Sequence, residues 1–194
     1  MEEIQITKSQ IREETAQKIA ALSAKEIAEK TKAIEDKLFD FANFLESKIA
    51  LMYVNNENEV PTENILQRAF HYGKIVVLPA YSPENFEMTL KKVDQLKKDL
   101  QLGPRNIQQP HETRCKIVPI EKIDIAIIPA VALDEKGGRI GSGEGYYDRL
   151  IPNLAITTRK VALAFEDQIV PQVPIESHDK HVDIIITEER VIYK

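Results

Sequence analysis

Short continuous apolar runs separated by helical stretches predict an α/β fold, a three-layer α/β/α domain with a mainly parallel sheet, spanning residues 1–194 as one unit. Three observations carry this expectation. The runs at 48–54, 74–79, 123–128, 160–165 and 182–187 are short and apolar, the signature of strands buried on both faces. Between them, 24–46 and 62–72 read as helices. Five of the seven glycines fall between Gly137 and Gly145, just after the run 123–128, which puts a yielding turn at the carboxyl end of a strand.

In chain order, Thr7-Lys8-Ser9-Gln10 offers caps for a first helix, and Ser23-Ala24-Lys25-Glu26 has capping-box spacing for a second. In the second, Ile27, Thr31, Ile34, Leu38, Phe41 and Leu45 recur every three or four residues and form one apolar stripe. Strand 48–54, helix 62–72 and strand 74–79 then alternate. From 80 to 115 the pattern weakens, because Pro83, Pro104 and Pro110 interrupt it; only 86–100 hints at a hairpin or short helix. Long irregular stretches of this kind are often binding loops. Strand 123–128, the glycine stretch, a helical turn from Tyr146, strand 160–165 and a last strand 182–187 that closes the sheet complete the chain. There is no repeat, low-complexity segment or linker.

The composition, 43% hydrophobic and 29% charged over 194 residues, suits one good core. A net charge of −5 leaves no excess of Lys and Arg to neutralise a nucleic-acid backbone, and only Lys91-Lys92 and Lys97-Lys98 lend local support to such a partner. No segment approaches the roughly 18 unbroken apolar residues of a membrane helix. Met1-Glu2-Glu3 is acidic where a signal peptide is basic. The expectation is a cytoplasmic monomer with no nucleic-acid and no membrane partner. Cys115, the only cysteine, excludes an internal disulfide and a multi-cysteine metal site.

Chemistry concentrates around the glycines. Glycine at 141, 143 and 145 removes side chains that would keep a ligand from backbone N–H groups, and a helix starting at Tyr146 aims further N–H groups at the same place. Strand, glycine turn and helix start together make a cradle for an anion such as phosphate. The spacing is neither a P-loop nor a dinucleotide fingerprint, and Ser142 lacks the flanks of a nucleophile elbow. Lys8 and Arg12, four apart, share one helix face, a spacing that by itself suits a solvated pair. Asp148 and Asp183 fit the habit of magnesium, held by one or two carboxylates from distant segments, and equally fit turn or helix caps. His178 and His181 with Asp179 and Asp183 lack both the helical spacing and the further ligand of a transition-metal site.

The run Arg139-Ile140-Gly141-Ser142-Gly143-Glu144-Gly145-Tyr146-Tyr147-Asp148-Arg149 resembles the nucleotide loop of the 5-formyltetrahydrofolate cyclo-ligases, also called methenyltetrahydrofolate synthetases. The resemblance extends from Lys8 to about Glu188 and is thinnest between 80 and 122. It includes a Glu-Val-x-Thr turn at Glu59 to Thr62 and a carboxyl-terminal block from Val173. It implies a ligase of folate one-carbon metabolism that uses ATP and Mg2+ to convert 5-formyltetrahydrofolate to 5,10-methenyltetrahydrofolate, ADP and phosphate. By the same resemblance Lys8 and Arg139 are the catalytic charges. Lys8, Arg12, Arg139, Gly141, Ser142, Gly143, Glu144, Gly145, Tyr146 and Tyr147 meet ATP. Val54, Glu59 and Tyr147 meet the reduced folate, and Asp148 and Asp183 hold Mg2+; Arg149 serves structure.

The alternative is a non-catalytic folate- or nucleotide-binding protein of the same fold. Ala80 stands where the family commonly has Leu-Pro-Arg, and Glu144 brings a carboxylate into a phosphate loop. At about 6 Å from a phosphate charge and an effective dielectric near 20, that carboxylate costs roughly 3 kcal/mol.

Overall fold

The computed structural model describes the backbone of residues 2–194 and the side chains of residues 4–104 and 106–194; the acidic start Met1-Glu2-Glu3 lies outside the described side chains. Helix α1, Glu2–Ala20, is already running at Glu2, so Thr7 to Gln10 lie inside it and do not cap it. Tertiary contacts decide this, because Lys8 within that stretch is buried and ion-paired. Helix α2, Ala24–Asp40, starts as its sequence directs. The Glu26 N–H donates to Ser23 Oγ at 3.3 Å, and the Ser23 N–H donates to Glu26 Oε2 at 2.8 Å.

The apolar stripe stops short of its predicted end. Phe41 takes extended backbone (φ −75°, ψ 118°), and the chain restarts as α3, Ala42–Glu46. The break buries Phe44 and turns Leu45 outward, where it is 48% exposed. Lys74 holds the end of α3, donating from Nζ to the carbonyls of Phe44, Leu45 (2.9 Å) and Ser47 (2.5 Å), which satisfies acceptors that a helix end leaves open.

Strand β1 (Ile49–Leu51), helix α4 (Glu63–His71) and strand β2 (Ile75–Ser82) follow. The stretch expected to be irregular is ordered. It contains β3 (Glu87–Val93), antiparallel to β2, a single turn α5 (Leu96–Asp99), and a small ladder of β4 (Leu100–Leu102) with β5 (Gln108–Pro110). Then come β6 (Ile125–Ile128), a tight hairpin of β7 (Ala132–Leu133) and β8 (Arg139–Ile140), helix α6 (Tyr146–Leu150), β9 (Arg159–Leu163), β10 (Ile184–Ile186) and β11 (Val191–Tyr193).

Seven strands form the main sheet in the order β11-β10-β9-β6-β1-β2-β3. The five inner strands are parallel, and an antiparallel strand lies at each edge, so the strand 182–187 does not close the sheet as expected. Successive inner residues pack to opposite sides. Ala50, Val76, Ile127, Val161 and Ile186 meet Ile34 and Leu38 of α2 and Ile65 and Leu66 of α4. Leu51, Val77, Ala126, Ile128, Ala162 and Ile185 meet Tyr147 and Leu150 of α6 and the turn at Ile151 and Leu154. Burial on both faces is why these strands read as unbroken apolar runs. No helix among the described residues is long and apolar enough to cross a membrane.

Strand order reverses between β1 and β6. From β1 the chain proceeds to β2 on one side, and from β6 to β9 and β10 on the other. In such a sheet a crevice opens beyond the carboxyl ends of the two strands at the reversal. The segments leaving β1 and β6 carry Val54 to Glu59 and Pro129 to Asp148.

Candidate functional site

Those two segments, with one face of α1, enclose a cavity of about 100 Å3. It continues into a wider recess of about 560 Å3, within the range of small-molecule sites. Arg12, Val54, Asn56, Glu59, Ile107 and Ser142 line both parts. From α1 come Gln5, Lys8 and Arg12, spaced three and four apart on one helix face.

The five clustered glycines divide into two groups. Gly137 and Gly138 form the β7–β8 turn, where Asp134 Oδ1 accepts the Gly138 N–H at 2.8 Å and the Lys136 N–H at 3.0 Å. They serve the hairpin. Gly141, Gly143 and Gly145 line the cavity. A Cβ on Gly141 would lie 2.7 Å from Arg139 Nη1, so a side chain there would push the guanidinium from its place under the loop. Gly145, at φ 70°, takes the left-handed backbone needed to enter α6. That helix has only five residues, so positive charge at the loop comes mainly from side chains.

Arg139 is 5% exposed. Its Nη2 donates to Asp148 Oδ1 at 2.9 Å and its Nη1 to the Pro129 carbonyl at 3.3 Å, while the buried Nε has no hydrogen-bond partner among the described residues. A buried donor without an acceptor is costly in water-free surroundings, and an anionic ligand would relieve it. The guanidinium also sits 5.9 Å from the Tyr147 ring. Arg12 Nε donates to the Gly141 carbonyl at 2.8 Å and ties the loop to α1. Burial draws the Arg12 pKa below its ordinary value, with Asp179 offsetting part of the shift.

Lys8, 5% exposed, donates from Nζ to Asp179 Oδ2 at 2.5 Å and Glu176 Oε2 at 2.9 Å. Burial alone would lower its pKa, but the two carboxylates outweigh burial and raise it. Burial likewise pushes Asp179 up, and Lys8 with the Glu176 N–H outweighs it and holds the carboxyl below the usual range.

On the recess side, Glu59 is 5% exposed and its Oε2 accepts the Asn56 N–H at 2.9 Å. Val54 lies beside it, and Tyr147 and Tyr146 are buried at the loop's far end. The Tyr146 ring packs edge-on to Tyr81, 5.0 Å between centroids. Burial first raises the pKa values of Tyr53 and Tyr147 well above the phenol's ordinary value, joined by Glu59 at Tyr53 and by Tyr81 ahead of Glu59 at Tyr147. Ser142 and Glu144 line the cavity, and the Glu144 carbonyl accepts from Arg149 Nη1 at 2.9 Å. Arg149 also lies over the Phe86 ring at 5.4 Å.

Lys8, Arg12, Val54, Glu59, Arg139, the loop 141–147 and Asp148 are therefore brought together. Asp183 is not. It opens β10, its Oδ2 accepts the Lys160 N–H at 2.9 Å and lies 3.2 Å from Lys160 Nζ, and it is absent from the cavity lining. The structure does not bring Asp183 beside Asp148 in the cavity lining. Asp179, from the turn that Lys8 draws in, lines the cavity with Glu59, Glu144 and Asp148. Its backbone neighbour Lys180 donates to Asp148 Oδ1 at 3.1 Å. Glu176, His178 and Asp179 place ligand atoms within 4.8 Å of one another, yet the His178 side chain is 65% exposed and Lys8 occupies both carboxylates. Gln5, Asp179 and Glu176 were missed in the sequence; the spacing 5-8-12 on α1 was the available signal for Gln5.

Residues 4–188 match the 5-formyltetrahydrofolate cyclo-ligase family. The mouse protein named 5-formyltetrahydrofolate cyclo-ligase is 30% identical over 188 residues, covering 92% of each chain. The Escherichia coli K12 protein of that name is 28% identical over 141 residues, 72% of this chain and 78% of its own. Among solved structures, a 5,10-methenyltetrahydrofolate synthetase from Aquifex aeolicus superposes with a TM-score of 0.82 at 29% identity, covering 96% of this chain and 92% of that one.

Proposed function

The chain belongs to the 5-formyltetrahydrofolate cyclo-ligase family and is an enzyme acting on a folate, and from that premise we propose that it closes 5-formyltetrahydrofolate to 5,10-methenyltetrahydrofolate at the expense of ATP. The carrying observation is that Lys8, Arg12 and Arg139 converge with the bare loop 141–145 on one cavity, beside a recess that holds Glu59. Three cations and backbone N–H groups suit a polyphosphate, and the orphaned Arg139 Nε suits an anion.

In this reading the formyl oxygen attacks the γ-phosphorus and ADP departs. N10 then attacks the activated formyl carbon, its proton is released, and phosphate leaves with the former formyl oxygen. The protein's share is positioning and neutralisation of charge. Lys8, Arg12 and Arg139 hold the triphosphate and stabilise the oxygens that gain charge during transfer. The loop 141–147 shapes the floor. Glu59, fixed by the Asn56 N–H, orients the folate in the recess next to Val54, and the Tyr147 ring presents a flat surface to it.

A magnesium ion would find oxygen donors on Asp148 and, once it displaces Lys8, on Asp179 at the phosphate side of the cavity. Bound there, it would supply charge neutralisation at the phosphates. The direct test is turnover. Mixing the chain with 5-formyltetrahydrofolate and magnesium ATP should raise methenyl absorbance, and no rise while both ligands bind would overturn the proposal.

A further inference from the structure

Resting on the nucleotide reading above, we infer that Glu176 makes triphosphate binding at this cavity conditional on a divalent cation. Glu176 is absent from the cavity lining and reaches the site through its contacts with Lys8, Gln5 and Asp179, which line it. Four contacts close this set. Lys8 Nζ donates to Glu176 Oε2 at 2.9 Å and to Asp179 Oδ2 at 2.5 Å, Gln5 Nε2 donates to the same Glu176 oxygen at 2.6 Å, and the Glu176 N–H donates to Asp179 Oδ2 at 2.7 Å. The side chains of all three charged residues are nearly sealed from solvent.

The charge around the cavity gives that set its consequence. The lining holds Lys8, Arg12 and Arg139 against Glu59, Glu144, Asp148 and Asp179, so acidic groups outnumber basic ones before Glu176 is added. A triphosphate arriving without a metal meets a site that is already negative and competes with two buried carboxylates for Lys8. At buried groups such as Lys8 and its two carboxylates salt screens these handicaps less than it screens surface charges. A triphosphate arriving with a divalent cation carries its own counter-charge and gives Asp179 a partner other than Lys8. Glu176 then remains on the ammonium and sets how much positive charge Lys8 offers the phosphates. It is a specificity-determining residue acting through Lys8, and it touches neither nucleotide nor metal.

The test is equilibrium binding of ATP by calorimetry, with excess magnesium and with chelator, to the wild-type chain and to Glu176→Gln. The amide keeps an acceptor for Lys8 and Gln5 while removing the charge. Metal-free affinity should rise about tenfold in the variant, equivalent to about 1.4 kcal/mol, with less than about threefold change in the magnesium complex. Glu176→Asp, which keeps the charge, should retain the wild-type magnesium dependence. If a thermal melt finds Glu176→Gln unfolded, Glu176→Ser takes its place. Equal changes with and without magnesium, or no change in either, would overturn the inference and leave the nucleotide reading intact. A wild-type chain that binds ATP in neither condition would overturn both.

Discussion

Arg139 Nη2 donates to Asp148 Oδ1 across 2.9 Å and joins the two ends of the glycine loop, the residue that enters it and the residue that leaves it within α6. The pair is the frame on which the cavity floor hangs. Removing one partner of a buried pair leaves the other charge uncompensated, at a cost of about 3 kcal/mol. Arg139→Met should therefore lower the melting temperature by roughly 6 to 12 °C and abolish turnover. Arg139→Lys should recover part of the stability and little of the turnover, because an ammonium cannot fork between Asp148 and the Pro129 carbonyl. Thermal melts and initial rates on the same preparations separate the two effects.

Glu59 and the Asn56 N–H are fixed to each other at 2.9 Å on the recess side of the site. Glu59→Gln should raise KM for the formyl folate about tenfold, the size of one lost charge-assisted hydrogen bond, and leave KM for ATP within about twofold. Steady-state kinetics with each substrate varied in turn would show it. Equal rises in both constants would place Glu59 in the shared floor of the site.

Glu144 lines the same cavity as Lys8, Arg12 and Arg139. Its carboxylate opposes phosphate, so Glu144→Gln should lower KM for ATP by about threefold to tenfold, less than the roughly 3 kcal/mol upper bound because solvent reaches the loop. The gain should shrink as ionic strength rises. A KM that does not move would mean the side chain faces away from the phosphates.

Glu166 ties the last turn of the sheet to the segment after β9. Its Oε1 accepts from Arg190 Nη2 at 2.6 Å and Nε at 3.0 Å, and its Oε2 accepts from Thr187 Oγ1 at 2.7 Å. Burial pushes its pKa up, but Arg190 and Thr187 outweigh burial and hold it below the ordinary 4.5. A depressed folded-state pKa contributes stability above the unfolded value that is lost as pH falls through the folded one. Glu166→Gln should thus be about 1 kcal/mol less stable than wild type at neutral pH, with the gap closing below about pH 4. Melting temperature followed from pH 7 to 3 reads this directly.

The inner strands were legible because burial on both faces leaves an unbroken apolar run, as at Ile125 to Ile128, and α2 was legible because Ser23 and Glu26 cap it locally. The edge strands were not. Val191-Ile192-Tyr193 has three residues with partial exposure, and Glu87 to Val93 carries Lys91 and Lys92, so neither shows a run or a clear alternation. At the site, the glycines declared themselves by clustering, and Lys8 and Arg12 by the family resemblance, since their spacing alone suits a solvated pair equally well. Asp179 did not, because a tertiary contact with Lys8 carries it to the cavity, and in the sequence it looks no different from Asp183 four residues on. Local chemistry is written in the chain, whereas which carboxylates line the cavity was set by packing.

The most direct test of the account couples the two halves of the proposed reaction. With 5-formyltetrahydrofolate, magnesium and ATP, methenyl absorbance, ADP and phosphate should appear together in a ratio of about one to one to one, and none should form when either substrate is withheld. Methenyl product formed without ATP, or ATP cleaved at the same rate without the folate, would contradict it.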